Sequence, residues 1–215
     1  MPSPTLSVPS RSKRTTDVPR ALVAAGVLLV GGVAAFGLRT ALRTRPLPVL
    51  GVVPAFTLTE RSGSPIGTAQ LTGHVWVADF VFTRCPDFCP ALTARMAGLQ
   101  KAIPPATDPV QLVSFTVDPA HDTPDVLRTY ASHAGAAEGW VFVTGPREVL
   151  SALLRDGFKV AYADDGPPTA PITHSDRFVL VDRQLRIRGY YHGTEPADVA
   201  RLARDAATLR DGPAS

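Results

Sequence analysis

Apolar and polar positions follow two periods along most of this chain, and one uninterrupted apolar run stands near its start. Val75–Phe82 (VWVADFVF) is β-branched and aromatic, the pattern of a strand buried on both faces. Gln111–Val117 and Trp140–Thr144 read the same way, and Ala55–Glu60 is a strand running into the Arg61-Ser62-Gly63-Ser64 turn. Between them the period lengthens. Leu92, Met96, Leu99 and Ile103 recur at 4-3-4 spacing, which predicts an amphipathic helix over Pro90–Ile103. Thr123 as N-cap with Pro124 at the first helical position opens a second helix, to His133. Pro146–Gly157 is a third, stopped by its glycine. Arg177–Val181 and Leu185–Tyr190 form a hairpin around Asp182-Arg183-Gln184, and Glu195–Leu209 closes the chain as a helix. Strands alternating with helices predict an α/β fold, a mixed central sheet flanked by helices on both faces. No internal repeat is present.

The apolar run is Ala21–Leu38, 18 residues without charge between Arg20 and Arg39. As a helix it spans about 27 Å, close to the roughly 30 Å hydrocarbon core. It lacks the polar face of a core helix. It is long for a cleaved signal peptide, although Gly32-Val33-Ala34 is a loose small-x-small site. The expectation is one N-terminal transmembrane anchor over 21–38. A Pro/Ser/Arg-rich tail, expected to be disordered, precedes it at 1–20. A proline-containing linker follows at 39–53, and the folded domain occupies 54–210. Charge supports this division. Residues 1–45 carry seven Lys/Arg against Asp17, a net of +6, while the remainder has 15 basic and 18 acidic residues, a net of −3. The basic character belongs to the tail, so nucleic acid is not an expected partner. Four basic residues before the run and three after it place the N-terminus inside by a slim margin.

Candidate chemistry lies where the first buried strand meets the first helix, in Thr83-Arg84-Cys85-Pro86-Asp87-Phe88-Cys89-Pro90. Loops at the carboxyl ends of strands are where α/β proteins bind ligands. Pro90 fits the first helical position, so Cys89 should stand at or just before the helix N-terminus. The free amides there would lower its pKa. Incidental burial of two cysteines is the bland alternative, but the chain has no others and both flank prolines. The C-x-x-x-C spacing departs from the C-x-x-C of thioredoxin-type redox pairs. Two thiolates rarely complete a metal site. His174, in the loop entering the Arg177–Val181 strand, is a candidate third ligand, and His121 a weaker one. His74, His133 and His192 read as surface residues.

The chain resembles the Sco/SenC family of copper proteins over about residues 54–210. The matching segments are Asp79-Phe80-Val81-Phe82-Thr83-Arg84-Cys85-Pro86-Asp87-Phe88-Cys89-Pro90 and Phe115-Thr116-Val117-Asp118-Pro119 with Asp122-Thr123-Pro124. Trp140 with Thr144-Gly145, His174-Ser175 and Val179-Leu180-Val181-Asp182 continue the match. The resemblance implies a thioredoxin-like fold and one copper ion, Cu(I) or Cu(II), on Cys85, Cys89 and His174. It implies a copper chaperone in cytochrome c oxidase assembly, with a copper-accepting oxidase subunit and copper or thiol donors as partners. Asp118 matches an acidic position near the family's site. It is not expected to be a ligand, and its plain alternative is to cap the turn that follows. Departures are Ala120-His121, the proline-rich 167–171 approach to His174, and Leu185 where the hairpin often has glycine.

The donor set agrees with this. Thiolates suit Cu(I), imidazole suits copper in either state, and zinc would want a fourth ligand. Oxidising Cys85 and Cys89 to a disulfide would remove both thiolates, linking metal binding to redox state. The leading expectation is therefore a binding protein rather than an enzyme. The alternatives are a thiol–disulfide oxidoreductase using the redox-active pair Cys85 and Cys89, and a peroxidase-like relative. A dithiol beside an anchor fits the extracytoplasmic side of a cytoplasmic membrane.

Overall fold

The computed structural model describes residues 46–85, 88–163 and 172–213. The expected tail and the apolar run at 21–38 lie outside the described residues. Among those described, no helix is long and apolar enough to cross a membrane. The elements in chain order are β1 (Gly51–Val52), β2 (Thr57–Glu60), β3 (Pro65–Gly67), α1 (Thr68–Leu71), β4 (Trp76–Val81), α2 (Phe88–Ala102), β5 (Gln111–Thr116) and α3 (Pro124–His133). Then come β6 (Trp140–Thr144), α4 (Arg147–Ala152) running into a π-helical turn (Leu153–Gly157), β7 (Tyr162–Ala163), β8 (Thr173–His174), β9 (Arg177–Val181), β10 (Arg186–His192) and α5 (Pro196–Asp211).

The main sheet has eight strands in the order β1-β10-β9-β4-β5-β6-β2-β3. β4, β5 and β6 are parallel to one another, and the outer pairings are antiparallel. Every residue of β4 is buried, Asp79 included, as its near-continuous apolar pattern predicts. Alternation along it supplies both cores. Trp76, Ala78 and Phe80 face Leu150, Leu153, Leu154 and Phe158, where the Phe115 and Phe158 rings pack edge to face at 5.1 Å. Val75 and Val77 belong to the opposite core with Leu92, Met96 and Leu99 of α2, Leu127 of α3 and Leu202 of α5. Thr123 caps α3 as its position suggests, its hydroxyl accepting from the Val126 amide at 3.4 Å. Leu185 closes the β9–β10 turn with φ 62°, the left-handed conformation that glycine would adopt without strain.

Part of the expected 39–53 linker is built into the sheet. Gly51 and Val52 pair with Ile187 and Arg186. Arg188 donates to the carbonyl oxygens of Pro48, at 3.0 Å, and Leu47, and forms an ion pair with Asp182 at 2.7 Å. Proline-rich composition suggested a tether because it could not reveal this distant clamp. Burial pushes the Asp182 carboxyl up, but hydrogen bonds from Arg188 and Arg186 outweigh it and hold the group below its usual range. The stabilisation is therefore present above the unfolded carboxylate pKa and lost as pH falls through the lowered folded value. Arg188→Met should destabilise the chain by about 3 kcal/mol near neutrality, because Asp182 loses one of its two arginine partners and the Leu47 and Pro48 carbonyls lose their donor. Denaturant unfolding would measure this, and hydrogen exchange should show residues 47–53 losing protection first.

Candidate metal centre

The segment leaving β4 is held from the β5–α3 loop. Asp122 is fully buried and accepts from the Thr83 amide at 3.1 Å, the Thr83 hydroxyl at 2.6 Å and the Thr116 hydroxyl at 2.6 Å. Asp118 accepts from Arg84, at 2.6 Å from Nη2 and 3.2 Å from Nε. The turn after Asp118 is closed by its main-chain carbonyl, which accepts from the amides of His121 and Asp122. Its carboxylate therefore ties down the residue before Cys85 instead of capping. His121 rests on this scaffold, 3.0 Å from Asp122 Oδ1 and 3.2 Å from Thr83 Oγ1. Asp118, His121 and Asp122 can bring ligand atoms within 4.8 Å of one another, but both carboxylates already serve the loop.

α2 begins at Phe88, two residues before the proline expected to open it, so Cys89 lies inside its first turn. Cys89 is buried, Cys85 is half-buried, and both are thiols. The Cys85 sulfur accepts from the Cys89 amide at 3.3 Å, occupying one of the unpaired donors at the helix start. The Cys89 sulfur lies 3.3 Å from His174 Nε2. Pro86 and Asp87, between the cysteines, lie outside the described residues, as does the 167–171 approach to His174.

A short ribbon positions the histidine. β8 pairs with β7, Tyr162 opposite His174, and the Ser175 amide donates to the Ala161 carbonyl at 2.9 Å. His174 Nδ1 lies 3.0 Å from the Ser175 carbonyl, which can only accept. Nδ1 therefore carries the hydrogen, and Nε2 turns its lone pair towards Cys89. Phe82 stands edge-on to the imidazole at 5.6 Å. Burial lowers the His174 pKa, opposed by the Ser175 carbonyl and Asp176, so the ring is neutral at neutral pH. Burial also pushes the Cys89 thiol well above its usual range, the contact with the Phe82 amide notwithstanding. The helix-end argument anticipated the opposite direction, and desolvation outweighs it. Without a metal, Cys89 keeps its proton.

The SCO1/SenC family model matches residues 48–209, from the Arg188-clamped strand to the end of α5. The chain belongs to the SCO1/SenC family. It is 33% identical to a SCO1/SenC family lipoprotein from Bacillus anthracis, covering 75% of this chain and 96% of that one with a TM-score of 0.68. BsSco, a member of the Sco family of cytochrome c oxidase assembly proteins with a disulfide switch, is 30% identical over 77% of this chain and 99% of its own, TM-score 0.66. Bradyrhizobium japonicum ScoI, solved with copper bound, shares the fold at 20% identity and a TM-score of 0.63, over 74% and 99% of the two chains.

Sequence reasoning brought forward Cys85, Cys89, His174 and Asp118, and it missed the partners that hold them. Arg84 and Asp122 gave no periodic signal. Asp79 did, as an acid inside an otherwise apolar strand.

Proposed function

We propose that this Sco/SenC protein is a copper-binding assembly factor. It carries one copper ion as cargo on Cys85, Cys89 and His174 for delivery to the copper centre of cytochrome c oxidase. The observation that carries the reading is the 3.3 Å approach of His174 Nε2 to the Cys89 sulfur, across 85 residues of sequence. Typical metal–sulfur and metal–nitrogen distances of about 2.3 and 2.0 Å put two ligands of one ion roughly 3.6 Å apart. A slight opening of the pair therefore admits an ion. Two thiolates and one neutral imidazole form a soft, three-coordinate set that favours Cu(I) and leaves room for the ligands of an acceptor. Binding must displace both thiol protons, so affinity rises with pH. The uncharged run at 21–38 suits a single span that tethers the domain outside the cytoplasmic membrane, and the likeness to BsSco, from a family of cytochrome c oxidase assembly proteins, supports an oxidase subunit as its acceptor.

In an anaerobic Cu(I) titration of the reduced chain against a chromophoric chelator, one equivalent is expected to be retained. Cys85→Ser and Cys89→Ser should each bind less than a tenth as much at the same chelator concentration. Retention of a full equivalent by either variant would remove that sulfur from the site.

A second reading shares the same pair. Cys85 is partly exposed while Cys89 is 1% exposed, an asymmetry that suits an attacking sulfur and a resolving one. In that role the protein reduces a disulfide in its copper-accepting partner before or alongside delivery.

A further inference from the structure

Among the described residues four large hydrophobic side chains are exposed, and three of them sit together. Val49, Leu50 and Val52 are 54%, 42% and 60% exposed, against 38% for Val149 on α4. They belong to residues 46–55, a stretch without a single polar side chain. Exposed apolar residues are ordinarily scattered, so a run of them marks a contact surface. β1 is also the edge of the eight-stranded sheet, but it is poorly shaped to receive another strand. It is two residues long, and Pro46, Pro48 and Pro54 flank it without the amide hydrogens that strand pairing needs. Three side chains also fall far short of the roughly 800 Å² per partner that a stable dimer buries. What the edge offers is apolar surface with little backbone recognition, and lipid needs no more than that. Two further observations point the same way. Lys159 is exposed, and its Nζ would lie 3.9 Å from a Cβ at Gly51, which puts a cation at the margin of the patch. The uncharged run 21–38, read as a span, ends eight residues before Leu47. Those eight include Arg39, Arg43 and Arg45, and they reach at most about 29 Å.

We propose that the β1 edge of the domain rests on the lipid surface, with Val49, Leu50 and Val52 entering the headgroup layer and Lys159 against the phosphates. The inference rests on the single span proposed above. Its consequence for copper follows from the register of the sheet. Gly51 pairs with Ile187, Ile187 with Val181 and Val181 with Trp76, so β1 stands level with the amino end of β4. Cys85 and Cys89 follow the carboxyl end of that strand, beyond Val81. The run from Trp76 to Val81 covers about 17 Å along the strand, and β4 lies three strands in from β1, about 14 Å across the sheet. Both displacements carry the copper site away from the patch. An edge resting on lipid therefore holds the cysteines clear of the headgroups, open to an acceptor whose receiving domain stands in the aqueous phase.

Brominated lipid tests this, because bromine quenches an indole only on close approach. Both native tryptophans are buried, Trp76 at 0% and Trp140 at 1% exposed, so an added indole is read above a constant background. The full-length chain carrying Val52→Trp goes into vesicles of phosphatidylglycerol and dibrominated phosphatidylcholine. The added indole is expected to lose roughly half of its emission, as a side chain at interfacial depth would. Ser64→Trp is the control, exposed in the turn before β3 at the opposite edge, about 34 Å away across the sheet, and it should keep its emission. Equal quenching in the two variants, or none in either, overturns the proposal. A blue shift of the Val52→Trp indole without quenching, growing with protein density in the vesicles, identifies a second copy as the occupant and overturns it too. A photoactivatable phospholipid needs no variant to fold. In the wild-type chain it should label 46–55 about tenfold more than 62–65, and equal labelling contradicts the inference. Failure of the single span looks different. The chain then does not float with the vesicles at all, and the inference falls with it.

Discussion

His174→Ala is expected to weaken Cu(I) retention by at least about 100-fold while the dithiol still exchanges with a small disulfide. Loss of a residue that merely orients a ligand already weakens metal sites by roughly 10- to 100-fold, and here the ligand itself is removed. The imidazole is the neutral donor of the set, held with Nε2 facing Cys89 by the Ser175 carbonyl and the β7–β8 ribbon. Its removal leaves two thiols, one of them buried and strongly disposed to keep its proton. The two activities therefore separate in this variant. Competition against a Cu(I) chelator measures the first and thiol release measures the second. Undiminished copper retention would take His174 out of the site, and with it the reading of a three-ligand cargo centre. His121→Ala makes a useful contrast. It disturbs a residue resting on Asp122 and Thr83 and should leave stoichiometry unchanged.

Asp79→Asn is expected to stabilise the chain at pH 8 by about 4 kcal/mol and to have little effect at pH 4. The native carboxyl is raised from 3.8 to about 7 by burial, so the folded chain binds a proton between these values that the unfolded chain has released. Stability is then highest below the unfolded pKa and declines as pH rises towards 7, with about 1.4 kcal/mol for each unit separating the two values. The amide is isosteric and cannot ionise, so it removes that decline. Urea unfolding across this pH range tests it, and a wild-type stability that stays flat between pH 4 and 7 would show that Asp79 finds a partner in solution.

Much of the fold was legible in order of appearance. β4, β5 and β6 are predominantly apolar runs, and burial on both faces leaves such a pattern few alternatives. α3 begins at the threonine and proline that local sterics designate for a helix start. Other boundaries depended on distant groups. α2 starts two residues early because the Cys85 sulfur satisfies the Cys89 amide. The expected third helix, Pro146–Gly157, ends in a π-helical turn. Gly51 and Val52 join the sheet because β10 offers an open edge and Arg188 holds the preceding carbonyls.

By itself, the sequence determined which residues could serve. It holds only two cysteines, spaced four apart after a core strand, and a histidine in a polar segment before another strand. Resemblance then marked them as a set. Tertiary structure alone decided how they meet. The β7–β8 ribbon, which carries too few residues to leave a periodic signal, sets the imidazole against Cys89. Burial, a property of the assembled chain, reversed the expected shift of the Cys89 thiol and left Asp79 without a partner. Periodicity reports which side of an element is apolar, whereas the protonation of a buried group depends on everything packed around it.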